Sequence, residues 1–598
     1  MVSQNSLNHE KSMLFTSIFQ TQWLNFIAKE SALPPNLTTS SYNSSLHNDL
    51  LALKCMKASK LAPSEYQAVR FDGKIRFMEL PHPLPYAFLG NTLIEKWDLL
   101  REKCSTKESA LRPQFKGNTQ RIIRFTYPAD DDGECWLSAL DGNRSPFLNG
   151  RSSFKNPILL KLDIANFFPS IYTHALDWAI EGERKSGKKH LGALVDQAYQ
   201  YSRNMRTDGV AIGPITSNIA AEIILNDLDK FLSEKKDAEE LDFRRFVDDI
   251  EILTPSSTDI DQLVGEISRI LRKYSLSLNH TKQSVKPVWE HLAGGINAKA
   301  NTFLSTSLGS ISSKNIKHFV ADLHHLAIQE KSYSILKYSW DRIIREMAES
   351  SENKKRLFVR EAIYLLRDHP DLASRIAEEI KKDALLAREI NGHRPSTSYF
   401  NLLTLHFIST GSTETVCWLL HIFSLCRIDP SCLLSKLMEQ VEESSGPTSQ
   451  ATGTDLPTGP TYSLDPSADQ KASDASETNS LNNNSSGEPN SCIRGEATRL
   501  TLLSLITPLV ALSFLDCFER VSLKRKLTCP PQKILRILKE MYSGDDPYTD
   551  ERKEDWSWAW PIRYELFRRK ELHAVDLEPY ETKVFNILEK NDFRILAP

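Results

Sequence analysis

The chain has 598 residues, several times an ordinary domain, so two or three domains with separate cores are expected. Its 74 Lys and Arg against 77 Asp and Glu give a formal charge of −3, which excludes a globally basic nucleic-acid binder; any phosphate-binding surface has to be local. Nine cysteines without a CxxC pair argue against a zinc module or disulfide frame, and no apolar run is long enough to span a bilayer, so a soluble cytoplasmic protein with free thiols is expected.

Residues 1–60 read as an N-terminal extension of helix and polar coil, with TTSSYNSSLHN (38–48) as a loop. Residues 61–300 mix short β-rich runs with helices, the texture of an α+β domain. Within 101–126, seven Lys or Arg stand against two Glu, which suits either a solvated face or a phosphate-binding one. KNPILLKLDI (155–164) is a strand-like run carrying Asp163 near its end. GVAIGPITSNIAAEIIL (209–225) is a Gly/Pro/Ser turn opening into a helix, and IAAEIILNDLDKFL (219–232) has helical periodicity. FRRFVDDIEIL (243–253) reads as a hairpin with Asp248 and Asp249 together at its centre; such a pair alone is most simply a solvated turn. Ile260, Leu263, Val264, Ile267, Ile270, Leu271 and Tyr274 then recur at three- and four-residue steps, the stripe of a core-facing helix.

From about 313 onward the texture becomes serial amphipathic helices, among them NIKHFVADLHHLAIQE, KRLFVREAIYLLRD and TETVCWLLHIFSLC. An all-α, HEAT-like repeat domain over 301–598 is expected, although no fixed period is visible. Residues 444–495 interrupt it with a Ser/Thr/Asn/Gly/Pro-rich stretch too poor in apolar side chains to offset its ordering entropy, read as a flexible insertion. Trp556, Trp558 and Trp560 alternate in DWSWAWPIRY and suit packing better than base stacking.

Strand-end Asp, Gly/Ser turn and Asp-Asp hairpin, in that order, are far more specific together than apart. In-line nucleotidyl transfer uses two Mg²⁺ ions about 4 Å apart, and Mg²⁺ takes one or two carboxylates plus waters and phosphates. A strand-end Asp and a hairpin Asp can meet on one sheet edge and share those ions, which offsets their mutual repulsion.

KLDIANFFPSI, GVAIGPITSN and FVDD, in this order and spacing, resemble motifs A, B and C of reverse transcriptases. The resemblance covers about residues 65–295 and implies a right-hand polymerase fingers and palm. It implies that Asp163, Asp248 and Asp249 are the catalytic carboxylates and that they bind Mg²⁺, with Mn²⁺ as a substitute, assisted by the Ile164 carbonyl. SLSLNHTKQS resembles motif D and places its lysine at Lys282, a candidate acid for the leaving pyrophosphate. Phe168, five residues after Asp163, takes the place of the aromatic that excludes a 2′-hydroxyl, while Gly213 and Ser217 belong to the motif B turn and Arg121 or Arg124 would hold the triphosphate.

Two departures stand out: Ile212 replaces the Gln usual before the motif B glycine, and Ala211 replaces a frequent Pro. That change, the phrase SIYTHALDWAI and the attached helical domain resemble bacterial abortive-infection and defence-associated reverse transcriptases. The resemblance implies an antiphage enzyme that adds deoxynucleotides, RNA-templated, protein-templated or untemplated. Its implied partners are dNTPs, RNA as template or non-coding RNA, a DNA product, and a companion defence protein or a second such enzyme, in an oligomer. Protein priming is a further expectation, with Tyr548, in the polar turn SGDDPYTDE, as the candidate hydroxyl. Two other readings stay open: a catalytically silent scaffold that binds nucleic acid or a phage protein, and an RNA-synthesising polymerase, which Phe168 disfavours.

Overall fold

The computed structural model describes residues 8, 11–12, 14–21, 23, 33–53, 61–69, 75–104, 123–126, 136–139, 151–182, 190–293, 296–308, 311–330, 334–444, 496–524, 526–543 and 556–597. Arg121, Tyr548, most of the basic segment and residues 445–495 of the expected insertion lie outside them.

Three sheets occur among the described residues. β1 (Ser64–Val69) and β2 (Ile75–Leu80) form an antiparallel pair, as do β3 (Ile123–Thr126) and β4 (Trp136–Ala139). The central sheet holds β5 (Ile158–Asp163), β6 (Asp242–Phe246), β7 (Asp249–Thr254) and β8 (Ser284–Pro287) in the order β6-β7-β5-β8, all neighbours antiparallel.

Successive side chains of a strand point to opposite faces, so the register assigns the residues of the central sheet. Leu160, Leu162, Phe243, Ile250 and Ile252 join the main core on one face. The other face carries Lys161, Asp163, Arg244, Asp249 and Glu251, above a small separate cluster of Leu159, Leu253 and Val288. There Glu251 is gripped from both neighbouring strands, with Lys161 Nζ 2.8 Å and Arg244 Nε 2.5 Å from its carboxylate. A charged ladder on one face and a packed core on the other is the pattern of a sheet whose polar side is kept for solvent or ligand.

The core face is covered by helices. Asn226–Asp237 packs on β6, and Ile260–Arg272 buries Leu263, Ile267 and Leu271, the stripe read from its spacing. The helical run expected over 219–232 is two helices, Ile215–Ile224 and Asn226–Asp237, with a break at Leu225, where the backbone opens to φ −90°, ψ 5°. The periodicity survives the break because Leu228 and Leu232 return to the same core as Ile219 and Ile223. The expected loop 38–48 likewise ends in a helix, Ser44–Ala52. Its Asn43 side chain accepts a hydrogen bond from the Leu46 amide at 2.9 Å, so part of the Ser/Asn cluster is cap chemistry.

Beyond the sheet the chain is helical, from Ile316–Gln329 to Pro579–Lys590. Thr413–Cys426 packs against Pro508–Ser522 and also against β1, so the helical region returns to the first hairpin. The early residues are seated on the last ones. The Thr38 amide donates to the Ile595 carbonyl at 2.9 Å, the Ala597 amide to that of Asn36 at 2.8 Å, and the Trp23 and Trp560 rings stack 6.3 Å apart. Trp556 and Trp560 are buried, with the Arg563 guanidinium 4.8 Å over the Trp556 ring, which is packing rather than a stacking platform. Cys104, Cys417, Cys426, Cys517 and Cys529 are buried free thiols, and among the described residues no helix is long and apolar enough to cross a membrane.

Candidate active site

Asp163 ends β5 and Asp249 begins β7, and the two stand directly opposite in register. Asp248 shares the two-residue β6–β7 connection with Val247, whose φ of +52° is a conformation β-branched residues rarely adopt. The Ile164 amide donates to the Asp248 carbonyl at 3.3 Å, tying the turn to the end of β5. Three carboxylates are therefore collected at one end of the sheet by strand pairing alone.

The segment after Ile260–Arg272 closes over this end. The Ala165 amide donates to the Ser277 carbonyl at 2.9 Å, and the Asn279 amide to the Asp163 carbonyl at 2.7 Å. Lys282 Nζ donates to Asp163 Oδ1 at 2.8 Å, and Asn279 Nδ2 to Oδ2 at 3.1 Å. Asp163 itself is only 7% exposed, whereas the Lys282 side chain is 60% exposed and reaches in from solvent.

Loss of water at the strand end and the neighbouring Asp163 charge push the Asp248 carboxyl up, and Lys282 and Arg76 pull it back. Desolvation, followed by Asp248 and Asp163, pushes the Asp249 carboxyl up to about 6. Because Asp249 keeps an exposed surface, the repulsion among the three acids is the firmer of these causes. Such a cluster suits divalent cations. Among the described residues no group of three or more His, Cys, Asp or Glu side chains stands arranged to hold a metal ion.

Phe168 lies in the short helix Phe167–Ser170, buried at 8% exposure, with its ring 5.4 Å from that of Phe167. Its carbonyl accepts from the Val210 amide at 3.0 Å, which brings it beside the turn that carries Gly213. Gly213 has φ +133°, open to glycine and strained for other residues; a Cβ there would sit 3.5 Å from the Glu79 carbonyl oxygen and 3.6 Å from Met78 Cε. The Ile212 carbonyl accepts from the Glu79 amide at 2.9 Å, so β2 forms one wall of the turn. Ser217 is buried, and its hydroxyl donates to the Ala211 carbonyl, folding the turn on itself. Arg124 is in β3; Arg121 and Tyr548 lie outside the described residues. Tyr542 and Tyr564 are buried, donating to the Ile506 and Phe593 carbonyls.

Three arginines of this neighbourhood were not expected from sequence. Arg76, on β2, is the basic residue whose charge bears on Asp248 from the first hairpin. Arg203 is buried and binds Glu79 of β2, its Nε 2.7 Å from Oε2, while its Nη1 meets the Asp208 carbonyl just before the Gly213 turn. Arg245 is fully buried on the core face of β6. Its signal was a charge at a position that alternation assigns, with Phe243, to the apolar face.

Residues 131–304 match the family described as "Reverse transcriptase (RNA-dependent DNA polymerase)". No curated protein matches the chain. Among solved structures, the apo telomerase from Candida Tropicalis is 13% identical, with 72% of this chain and 74% of that chain covered and a TM-score of 0.26. The telomerase from Candida albicans in complex with a fragment of telomeric RNA is 14% identical, with 66% and 74% covered and a TM-score of 0.24. The protein carries a reverse transcriptase domain and is an RNA-directed DNA polymerase, a nucleotidyltransferase.

Proposed function

We propose that this polymerase is an antiphage enzyme that adds deoxynucleotides at the Asp163, Asp248 and Asp249 cluster, with RNA as template or partner. The observation that carries the catalytic part is the in-register pairing of Asp163 with Asp249 beside the Asp248 turn, on the polar face of the central sheet. Asp163 and Asp248, assisted by Asp249 and the Ile164 carbonyl, are the residues that would hold Mg²⁺, or Mn²⁺ in its place. Bound there, the ions supply activation of the attacking 3′-hydroxyl and charge neutralisation on the triphosphate and pyrophosphate.

The chain's own residues do the rest. Phe168 fills the space a 2′-hydroxyl would need. Gly213 lets backbone approach the nucleotide. Arg76, on β2, joins Arg121 and Arg124 as a candidate to hold the triphosphate, its charge bearing on Asp248. Lys282 releases Asp163 and donates a proton to the leaving pyrophosphate oxygen. The helical region serves as a repeat-like platform for a protein or RNA partner, in a cytoplasmic oligomer.

Wild-type protein and Asp248→Asn are expressed with phage challenge, and the co-purifying nucleic acid is sequenced. New DNA and protection with wild type alone are expected; equal DNA content and equal plating with both proteins would overturn the reading.

A further inference from the structure

Arg245 stands in β6 two residues before the Val247–Asp248 turn, on the face of the sheet opposite the catalytic carboxylates. Its side chain is completely buried, and it is fully engaged from three directions. Nε and Nη2 each donate at 3.0 Å to the two oxygens of Asp229, on Asn226–Asp237. Nη2 also lies 3.1 Å from both oxygens of Glu222, on Ile215–Ile224. Nη1 donates at 2.5 Å to the carbonyl of Val247.

A buried ion cluster is weak evidence of stability, because desolvation opposes the attraction and apolar replacements of similar volume often do as well. This one does something a packed apolar residue could not. It anchors the carbonyl of a β-branched residue held at φ +52°, one peptide before Asp248, and residues in such sparse conformations persist only where surrounding contacts fix them. The anchor is shared with Glu222, in the last turn of the helix that follows the Gly213 turn, so one guanidinium ties that helix to the carboxylate turn. Three separate acceptors around one planar group require the fork of Arg; a Lys ammonium on its stem cannot reach all three.

We infer that Arg245 is a positioning residue for catalysis: through Val247 it fixes where the Asp248 carboxylate points, and through Glu222 and Asp229 it holds that turn against the two helices of the core face. The inference rests on the polymerase reading of the carboxylate cluster, and it adds a residue that touches neither substrate nor ion.

Two variants test it. Arg245→Lys keeps the charge and loses the fork. Arg245→Met combined with Glu222→Gln and Asp229→Asn removes the three charges together, so no uncompensated buried ion is left if Arg245→Lys fails to fold. For each, Mn²⁺ binding is measured by electron paramagnetic resonance, and kcat and KM are measured for a deoxynucleotide, with Asp248→Asn as reference. Removing a supporting partner of a metal-binding carboxylate typically weakens metal affinity or activity about 10–100-fold, and that loss is expected in both Mn²⁺ affinity and kcat, with KM changed less than about twofold. A folded triple variant with wild-type Mn²⁺ affinity and wild-type kcat overturns the inference. If the wild-type protein incorporates no deoxynucleotide, the polymerase reading fails instead, and the Mn²⁺ comparison still decides the role of Arg245.

Discussion

The ammonium of Lys282 lies 2.8 Å from Oδ1 of Asp163, the carboxylate expected to share the catalytic ions. A cation already sits where a cation is needed, and it is attached to a mostly exposed, movable side chain. Lys282→Ala should therefore bind Mn²⁺ several-fold more tightly, because Asp163 no longer exchanges one partner for another. The same variant should lose about 10²–10⁴-fold in the rate of a single addition, the usual contribution of a positioned general acid. Metal titration and rapid-quench kinetics on the same protein check both arms. Unchanged affinity together with an unchanged rate would remove Lys282 from the site.

Phe168 is buried next to the Gly213 turn. Phe168→Val and Phe168→Ala should raise the use of ribonucleotides relative to deoxynucleotides by at least about tenfold, since the aromatic is replaced by space for one hydroxyl. Matched single-nucleotide extensions give the ratio, and an identical ratio in both variants would refute the gate.

In the proposed reading Arg76 acts on phosphate rather than on the chemistry. Arg76→Gln should raise the KM for the deoxynucleotide about tenfold, the loss of one charge-assisted contact of roughly 1.5 kcal/mol, and leave kcat nearly unchanged. A fall in kcat at constant KM would instead place Arg76 among the groups that act only in the transition state.

Glu251 predicts an acid-sensitive sheet. Burial opposes its ionisation, yet Lys161 and Arg244 on the flanking strands outweigh that and bring its carboxyl down to about 2, from an ordinary value of 4.5. A depressed acid contributes stability that is fully present above the unfolded value and is lost as pH falls through the folded one, so the loss spans about pH 4.5 to 2, with a magnitude on the order of 3 kcal/mol. Glu251→Gln should be less stable at pH 7 and should show a flatter stability profile across that window. Denaturant midpoints at several pH values measure it; parallel profiles for the two proteins would contradict the ladder.

The carboxylates were legible in the sequence because each is a charge placed where a strand favours none, in a fixed order along the chain. The hairpin and the Ile260–Arg272 stripe were legible for a related reason, since local periodicity follows burial directly. The break at Leu225 was not, because the same apolar pattern continues on both sides of it and only the packing of two helices against one core requires the turn. Arg203 looks like a surface charge, and Arg245 a charge on the wrong face of its strand, until tertiary structure supplies Glu222, Asp229 and Glu79 from elements 16 to 124 residues away. The basic segment 101–126 suggested triphosphate contacts by composition, and Arg76, on a short strand, drew no such notice because its influence on Asp248 comes from tertiary structure.

The most direct measurement is extension of a primed RNA template by wild-type protein and Asp248→Asn, with labelled deoxynucleotides and Mg²⁺, after matched thermal unfolding shows both folded. The account predicts label incorporated by wild type, abolished by chelation, and reduced by several orders of magnitude in Asp248→Asn, whose shape is kept while the charge is lost. Incorporation by folded Asp248→Asn at the wild-type rate would contradict it.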